Sequence, residues 1–146
     1  MEHVIRESRL EDAAAIYKLN SEEMGYDYSL NETVGILNRL LFDAQHKIYV
    51  AEFSERVVGY VHIAVYELLY APKLINIMGI AVSSSFQRMG IGKALLEQAE
   101  LWAKEIGASG VRVCSGSKRS QAHALYRSMG YGDGRTQLNF KKMFEL

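Results

Sequence analysis

Apolar and polar positions along this chain alternate with period two in some stretches and recur every three to four residues in others, which predicts a mixed α/β fold. Residues 3–6 read as a short opening strand. Ser8-Arg9-Leu10-Glu11 then has the form of a capping box, with the serine accepting from the third helical amide and Glu11 returning to the cap. Leu10, Ala13, Ala14 and Tyr17 continue at helical spacing in a first helix that fades near Gly25. Ser29-Leu30-Asn31-Glu32 repeats the cap, and Leu30, Val34, Leu37 and Leu41 form the apolar stripe of a second helix.

Residues 47–53 and 57–66 are rich in β-branched and aromatic side chains and predict an antiparallel hairpin closed by Ser54, Glu55 and Arg56. Pro72 interrupts the pattern. Residues 74–82 then form an almost wholly apolar strand, expected to be buried on both faces. Gly79 inside it marks a bulge or a close approach to the backbone. Ile91, Leu95, Ala99, Trp102 and Ile106 trace a long helix stopped by Gly107. Residues 111–115 predict another strand, and Ala122, Leu125, Tyr126 and Met129 lie on one side of a further helix that Gly130 closes. Residues 137–144 alternate as a final strand.

Bulk properties narrow the picture. A length of 146 residues, without repeats or a linker-like stretch, suits one domain over 1–146. Lysine plus arginine equals aspartate plus glutamate at 17 each, so the basic excess of a nucleic-acid binder is missing. Cys114 is the only cysteine, which leaves neither an internal disulfide nor a cysteine-based zinc site, and no metal is expected. The chain starts without an apolar run of signal-peptide length and contains no apolar stretch near the ~20 residues of a spanning helix. The expected location is cytoplasmic, with no membrane partner.

The most informative segment is Val82-Ser83-Ser84-Ser85-Phe86-Gln87-Arg88-Met89-Gly90-Ile91-Gly92-Lys93-Ala94. An apolar strand ends, a polar turn follows, and a helix starts at the glycines. Unpaired amides and the partial positive charge of a helix N-terminus suit a phosphate. Glycine at 90 and 92 removes Cβ atoms that would hold a diphosphate away, and Arg88 and Lys93 add charge at the rim. The same glycines also serve a plain tight turn. The third glycine and downstream acid of a dinucleotide fingerprint are missing, and Ala94 replaces the serine or threonine of a triphosphate loop.

Gln87-Arg88-Met89-Gly90-Ile91-Gly92 resembles the Gln/Arg-x-x-Gly-x-Gly/Ala loop of the GNAT superfamily of acetyl-CoA-dependent N-acetyltransferases. Residues 119–131, from Arg119 through Tyr126 to Gly130 and Tyr131, look like that superfamily's penultimate helix and its Gly-aromatic exit. The order of elements agrees over nearly the whole chain. The resemblance implies a mixed, mostly antiparallel sheet, splayed between its fourth and fifth strands and flanked by about four helices. It implies that pantetheine pairs with backbone at Ile80 and Val82. The diphosphate would rest on Gln87, Arg88, Met89, Gly90, Ile91, Gly92, Lys93 and Ala94, with Arg119 facing the cofactor.

The implied reaction is direct attack of a primary amine on acetyl-CoA in a ternary complex. The resemblance nominates Tyr126 to serve the departing sulfur; its helix periodicity alone makes it part of an apolar stripe. Relatives often carry glutamate where this chain has Asn76, which cannot accept a proton at neutral pH. Glu22, Glu23 and Glu67 are the alternative bases, while His62 and His123 read as structural. Tyr26 and Tyr28, with nearby acids, would line the site of a small-molecule or protein amine. A homodimer is left open. The competing reading is a non-catalytic acetyl-CoA-binding or regulatory module, which Asn76 keeps alive.

Overall fold

The computed structural model describes residues 3–116, 119–132 and 134–145. By internal contacts it divides into two compact units, Met1–Cys114 and Ser115–Leu146. The first holds strands β1 (Val4–Glu7), β2 (His46–Phe53), β3 (Arg56–Leu68), β4 (Ala71–Val82) and β5 (Val111–Val113) with helices α1 (Ala13–Met24), α2 (Leu30–Leu40) and α3 (Ile91–Glu105). The second holds α4 (Ser120–Ser128). Among the described residues no helix is long and apolar enough to cross a membrane.

The sheet runs in the order β1-β2-β3-β4-β5. Its first three pairings are antiparallel and the last, β4 with β5, is parallel. A two-residue turn at Ser54 and Glu55, both at positive φ, closes the β2–β3 hairpin. The α1 and α2 side chains Ala13, Ile16, Leu19 and Leu37 pack with Ile48, Val50, Tyr60 and Ala81 of the sheet. Gly59 lets α3 approach the sheet closely. A Cβ there would stand 3.3 Å from both Ile91 Cγ2 and Leu95 Cδ1.

The second helix starts as its sequence predicts, with Ser29 Oγ accepting the Glu32 amide at 3.0 Å. The first does not. A short 3-10 turn at Leu10–Asp12 precedes it, and Asp12, rather than Glu11, accepts the Arg9 amide at 2.7 Å. Arg6 explains the shift: its two terminal nitrogens each donate to an Asp12 oxygen at 2.9 Å, which draws that carboxylate inward and leaves Glu11 in solvent.

Three other expectations change. Residues 74–82 are not buried throughout: Ile75, Ile77 and Ala81 are buried, while Met78 is 55% exposed. Strand β5 ends at Val113 rather than at residue 115. Residues 137–144 form no strand and are exposed throughout. Leu138 and Phe140 keep period two, but Lys141 and Lys142 then break it, and without a paired neighbour such a segment has no ladder to join.

Candidate active site

The bulge anticipated at Gly79 is present. β3 pairs His62 with Gly79 and then Ile63 with Ile77, so Met78 is an extra residue outside the regular ladder. On the other edge, β5 accompanies β4 only at Ile75, Asn76 and Ile77. From residue 78 to Val82, that edge of β4 has no strand partner among the described residues. Its peptide groups, including those of Ile80 and Val82, can accept an extended ligand as an added strand would.

Beyond Val82 the chain is clamped before it loosens. The Ser83 amide donates to the Val58 carbonyl at 2.8 Å, and the Ser84 amide donates to Glu23 Oε2 at 3.0 Å. Phe86 packs on Phe53 with ring centroids 5.3 Å apart, and the Arg56 guanidinium lies 5.5 Å from its ring centroid. Gln87, Arg88, Met89 and Gly90 are then exposed, with Arg88 at φ 65° and Gly90 at φ 80°. No atom lies within 4 Å of where a Gly90 Cβ would stand. The first helical bond of α3 runs from the Ala94 amide to the Gly90 carbonyl, so the amides of Ile91, Gly92 and Lys93 precede the ladder. An open, doubly left-handed loop ahead of a 15-residue helix fits a diphosphate.

The two aromatic residues expected at the acceptor side line a common cavity of about 320 Å³, together with Tyr17, Asn20, Asp27 and Thr33. Asp27 is one of the acids expected there, whereas Tyr17, Asn20 and Thr33 were not anticipated from the sequence. Asn20 also accepts a short hydrogen bond from the Tyr60 hydroxyl, which overlies Gly79 at the bulge. Only the fold joins α1 to the middle of β3, so no local spacing could reveal that pair.

The candidate bases fare unequally. Asn76 Oδ1 accepts from the Arg112 guanidinium at 2.8 Å and its Nδ2 donates to Met78 Sδ at 3.1 Å. Glu23 is committed to the Ser84 amide, while Glu22 and Glu67 are exposed. His62 Nε2 lies 2.9 Å from His46 Nδ1; burial, aided by the His46 charge, pushes its pKa down to about 4.

In the second unit, Tyr126 is buried on α4, 6.0 Å from the Tyr131 ring between centroids. Burial pushes its phenol above the usual tyrosine range, and the Arg119 charge pulls it partly back. Arg119 immediately precedes the helix, and the turn beyond it is closed by Gly130 at φ 90°. His123 is half-buried in the same helix.

A mostly antiparallel sheet thus opens at its parallel pair, β4 with β5, beside an exposed helix start suited to a phosphate. Residues 10–131 match the Acetyltransferase (GNAT) family. An uncharacterized N-acetyltransferase of Chlorobaculum tepidum is 30% identical over 127 residues, which is 87% of this chain and 74% of that protein. An N-alpha-acetyltransferase of Sulfurisphaera tokodaii is 30% identical over 138 residues, 89% of this chain and 80% of that one. The fold of aminoglycoside N-acetyltransferase AAC(6')-Iy, solved in complex with CoA, superimposes with a TM-score of 0.87 at 12% identity, covering 97% of this chain and 95% of the other. The chain belongs to the GNAT family and is an acetyltransferase.

Proposed function

We propose that this acetyltransferase moves the acetyl group of acetyl-CoA to a primary amine by direct attack in a ternary complex, and that both compact units form one catalytic domain. The family match from residue 10 to 131 spans both units and supports the second part. The first part rests chiefly on the conjunction of an open β4 edge with the exposed loop that follows it. In this reading the amides from Arg88 to Ala94 hold the diphosphate, with the Gln87 backbone at the entry. Ile80 and Val82 pair with pantetheine, and Arg119 contacts the cofactor. The cavity at Tyr26 and Tyr28 takes the amine, and Asp27 favours its cationic form.

The amine must lose a proton before its nitrogen lone pair can attack the thioester carbon. An amine with pKa near ~10.4 is deprotonated about once in a few thousand at pH 7, roughly 4–5 kcal/mol. Asn76 has no basic oxygen and Glu23 already caps the Ser84 amide, so water is assigned as the first proton acceptor. The carbonyl oxygen gains charge as the C–N bond forms, and the peptide of the extra residue at the β4 bulge is its proposed donor. The C–S bond then breaks, and Tyr126 donates a hydrogen bond to the departing sulfur.

The test follows free thiol and acetylated product together across a panel of primary amines. Stoichiometric N-acetyl product with each thiol is expected. Accumulation of an acetylated enzyme before any amine is added would overturn direct attack.

A further inference from the structure

The reaction as described leaves Arg112 without a role. It lies on β5 opposite Asn76, one residue before the last paired position of β4 and β5. One terminal nitrogen donates to Asn76 Oδ1 at 2.8 Å and the other to Cys114 Sγ at 3.0 Å. The guanidinium carbon lies 4.3 Å from the centroid of the Tyr66 ring. A carboxamide, a sulfur and an aromatic face thus hold the group in one orientation, half-buried.

None of those partners is a carboxylate, and among the described residues no acid pairs with Arg112. Arg6 is the contrast within the same sheet. Its guanidinium is held by two carboxylates, Asp12 at 2.9 Å and Glu52 at 3.2 Å. A fixed guanidinium, with five donors of which two are used, retains N–H groups able to grip a planar anion side by side.

We propose that Arg112 receives a carboxylate carried by the acceptor, so that the preferred substrates are primary amines bearing a carboxylate. This deepens the amine-acetylation reading and rests on it. The placement is consistent with a short acceptor: Asn76 is bonded to Met78, the extra residue of the bulge, and residues two apart on a strand are separated by about 7 Å. An amino-acid-sized or dipeptide-sized molecule covers that span. Asn76 then acts as a positioning residue, because its carboxamide orients the guanidinium without neutralising it. A glutamate there would close an ion pair with Arg112 and compete with the substrate's own carboxylate.

The experiment measures kcat/KM for matched acceptors: a set of amino acids and dipeptides, their C-terminal amides, and the corresponding decarboxylated amines. Each is assayed with the wild type, Arg112→Gln and Arg112→Lys, after thermal melts establish that the variants fold. The wild type is expected to favour the carboxylated member by about 10- to 100-fold, mostly through KM. Arg112→Gln brings that ratio towards one, and Arg112→Lys retains part of it. Equal rates for acid and amide in the wild type overturn the proposal. So does an unchanged ratio in Arg112→Gln with both rates lowered, which is the signature of a purely structural arginine. If no amine in any series is acetylated, the underlying reading falls, and the proposal falls with it.

Discussion

The Glu23 carboxylate at the end of α1 accepts the Ser84 amide at 3.0 Å, which ties the acceptor-side helix to the turn that leads into the phosphate loop. A half-buried carboxylate held this way caps a backbone donor through one of its two oxygens. The contact also means that the proposed acceptor cavity and the proposed diphosphate loop share an anchor. Tyr26 and Asp27 of the cavity follow Glu23 by only a few residues, while Arg88 and Gly90 follow Ser84.

Two substitutions separate the anchoring role from a catalytic one. Glu23→Ala removes the acceptor and should loosen the loop, at about 1 kcal/mol for a lost cap of this kind. Calorimetry should then show roughly fivefold weaker acetyl-CoA binding. Glu23→Gln keeps an acceptor oxygen but no base, so both binding and kcat should stay within about twofold of wild type. A collapse of kcat in Glu23→Gln alone would make Glu23 the base instead.

Gly90 carries the clearest backbone requirement in the loop. Its φ of 80° is left-handed, yet no neighbour crowds the missing side chain. Gly90→Ala should therefore cost only the strain of that conformation, about 1–2 kcal/mol, seen as a lower Tm and a several-fold weaker cofactor Kd. Gly90→Glu adds a negative charge beside the diphosphate and should abolish binding while leaving a folded protein. Wild-type affinity in Gly90→Glu would place the diphosphate elsewhere.

How much of this was legible beforehand depended on whether the signal was local. Ser29 caps its own helix three residues on, Gly79 stands out inside a β-branched run, and Gly90 precedes an amphipathic helix. Each is readable because cause and effect lie within one turn. The Asn20–Tyr60 bond and the Arg112–Asn76 bond join residues far apart in the chain, so they depend on which face of α1 meets the sheet and on the parallel register of β4 and β5. Asp12 displaced Glu11 as the first cap because Arg6, six residues earlier on β1, pairs with its carboxylate, a contact that the capping pattern alone does not encode. Alternation in residues 137–144 misled because period two describes a strand's faces and says nothing about a partner.

His62 predicts an acid limit on stability. Its folded pKa of about 4 lies below the ordinary value of 6.5, first through burial and then through the neighbouring His46 charge. Protons therefore bind the unfolded chain first on acidification. The stabilising contribution is complete above pH 6.5 and disappears as the pH falls towards 4, amounting to at most about 3 kcal/mol. Urea melts of the wild type should show this loss across that window, and His62→Gln should flatten it. A wild-type stability that is level from pH 6.5 to 4 would contradict the burial of a neutral imidazole.

Tyr126 can be tested for chemistry because phenylalanine preserves its packing. Burial raises its phenol above the usual range, so the proton stays on through neutral pH and is available for a hydrogen bond to sulfur. Full proton transfer to a thiolate is correspondingly harder, which favours hydrogen bonding over transfer as the catalytic contribution. Tyr126→Phe should then lower kcat by about 10- to 100-fold, the worth of one hydrogen bond to a charged atom, with acetyl-CoA affinity nearly unchanged. The wild-type rate should show no loss attributable to phenol ionisation until the pH exceeds about 10. The raised folded pKa also implies that any stabilisation from the neutral phenol is present below about pH 10 and is lost as the pH rises further. An unchanged kcat in Tyr126→Phe would reduce the residue to one position in the apolar stripe of α4.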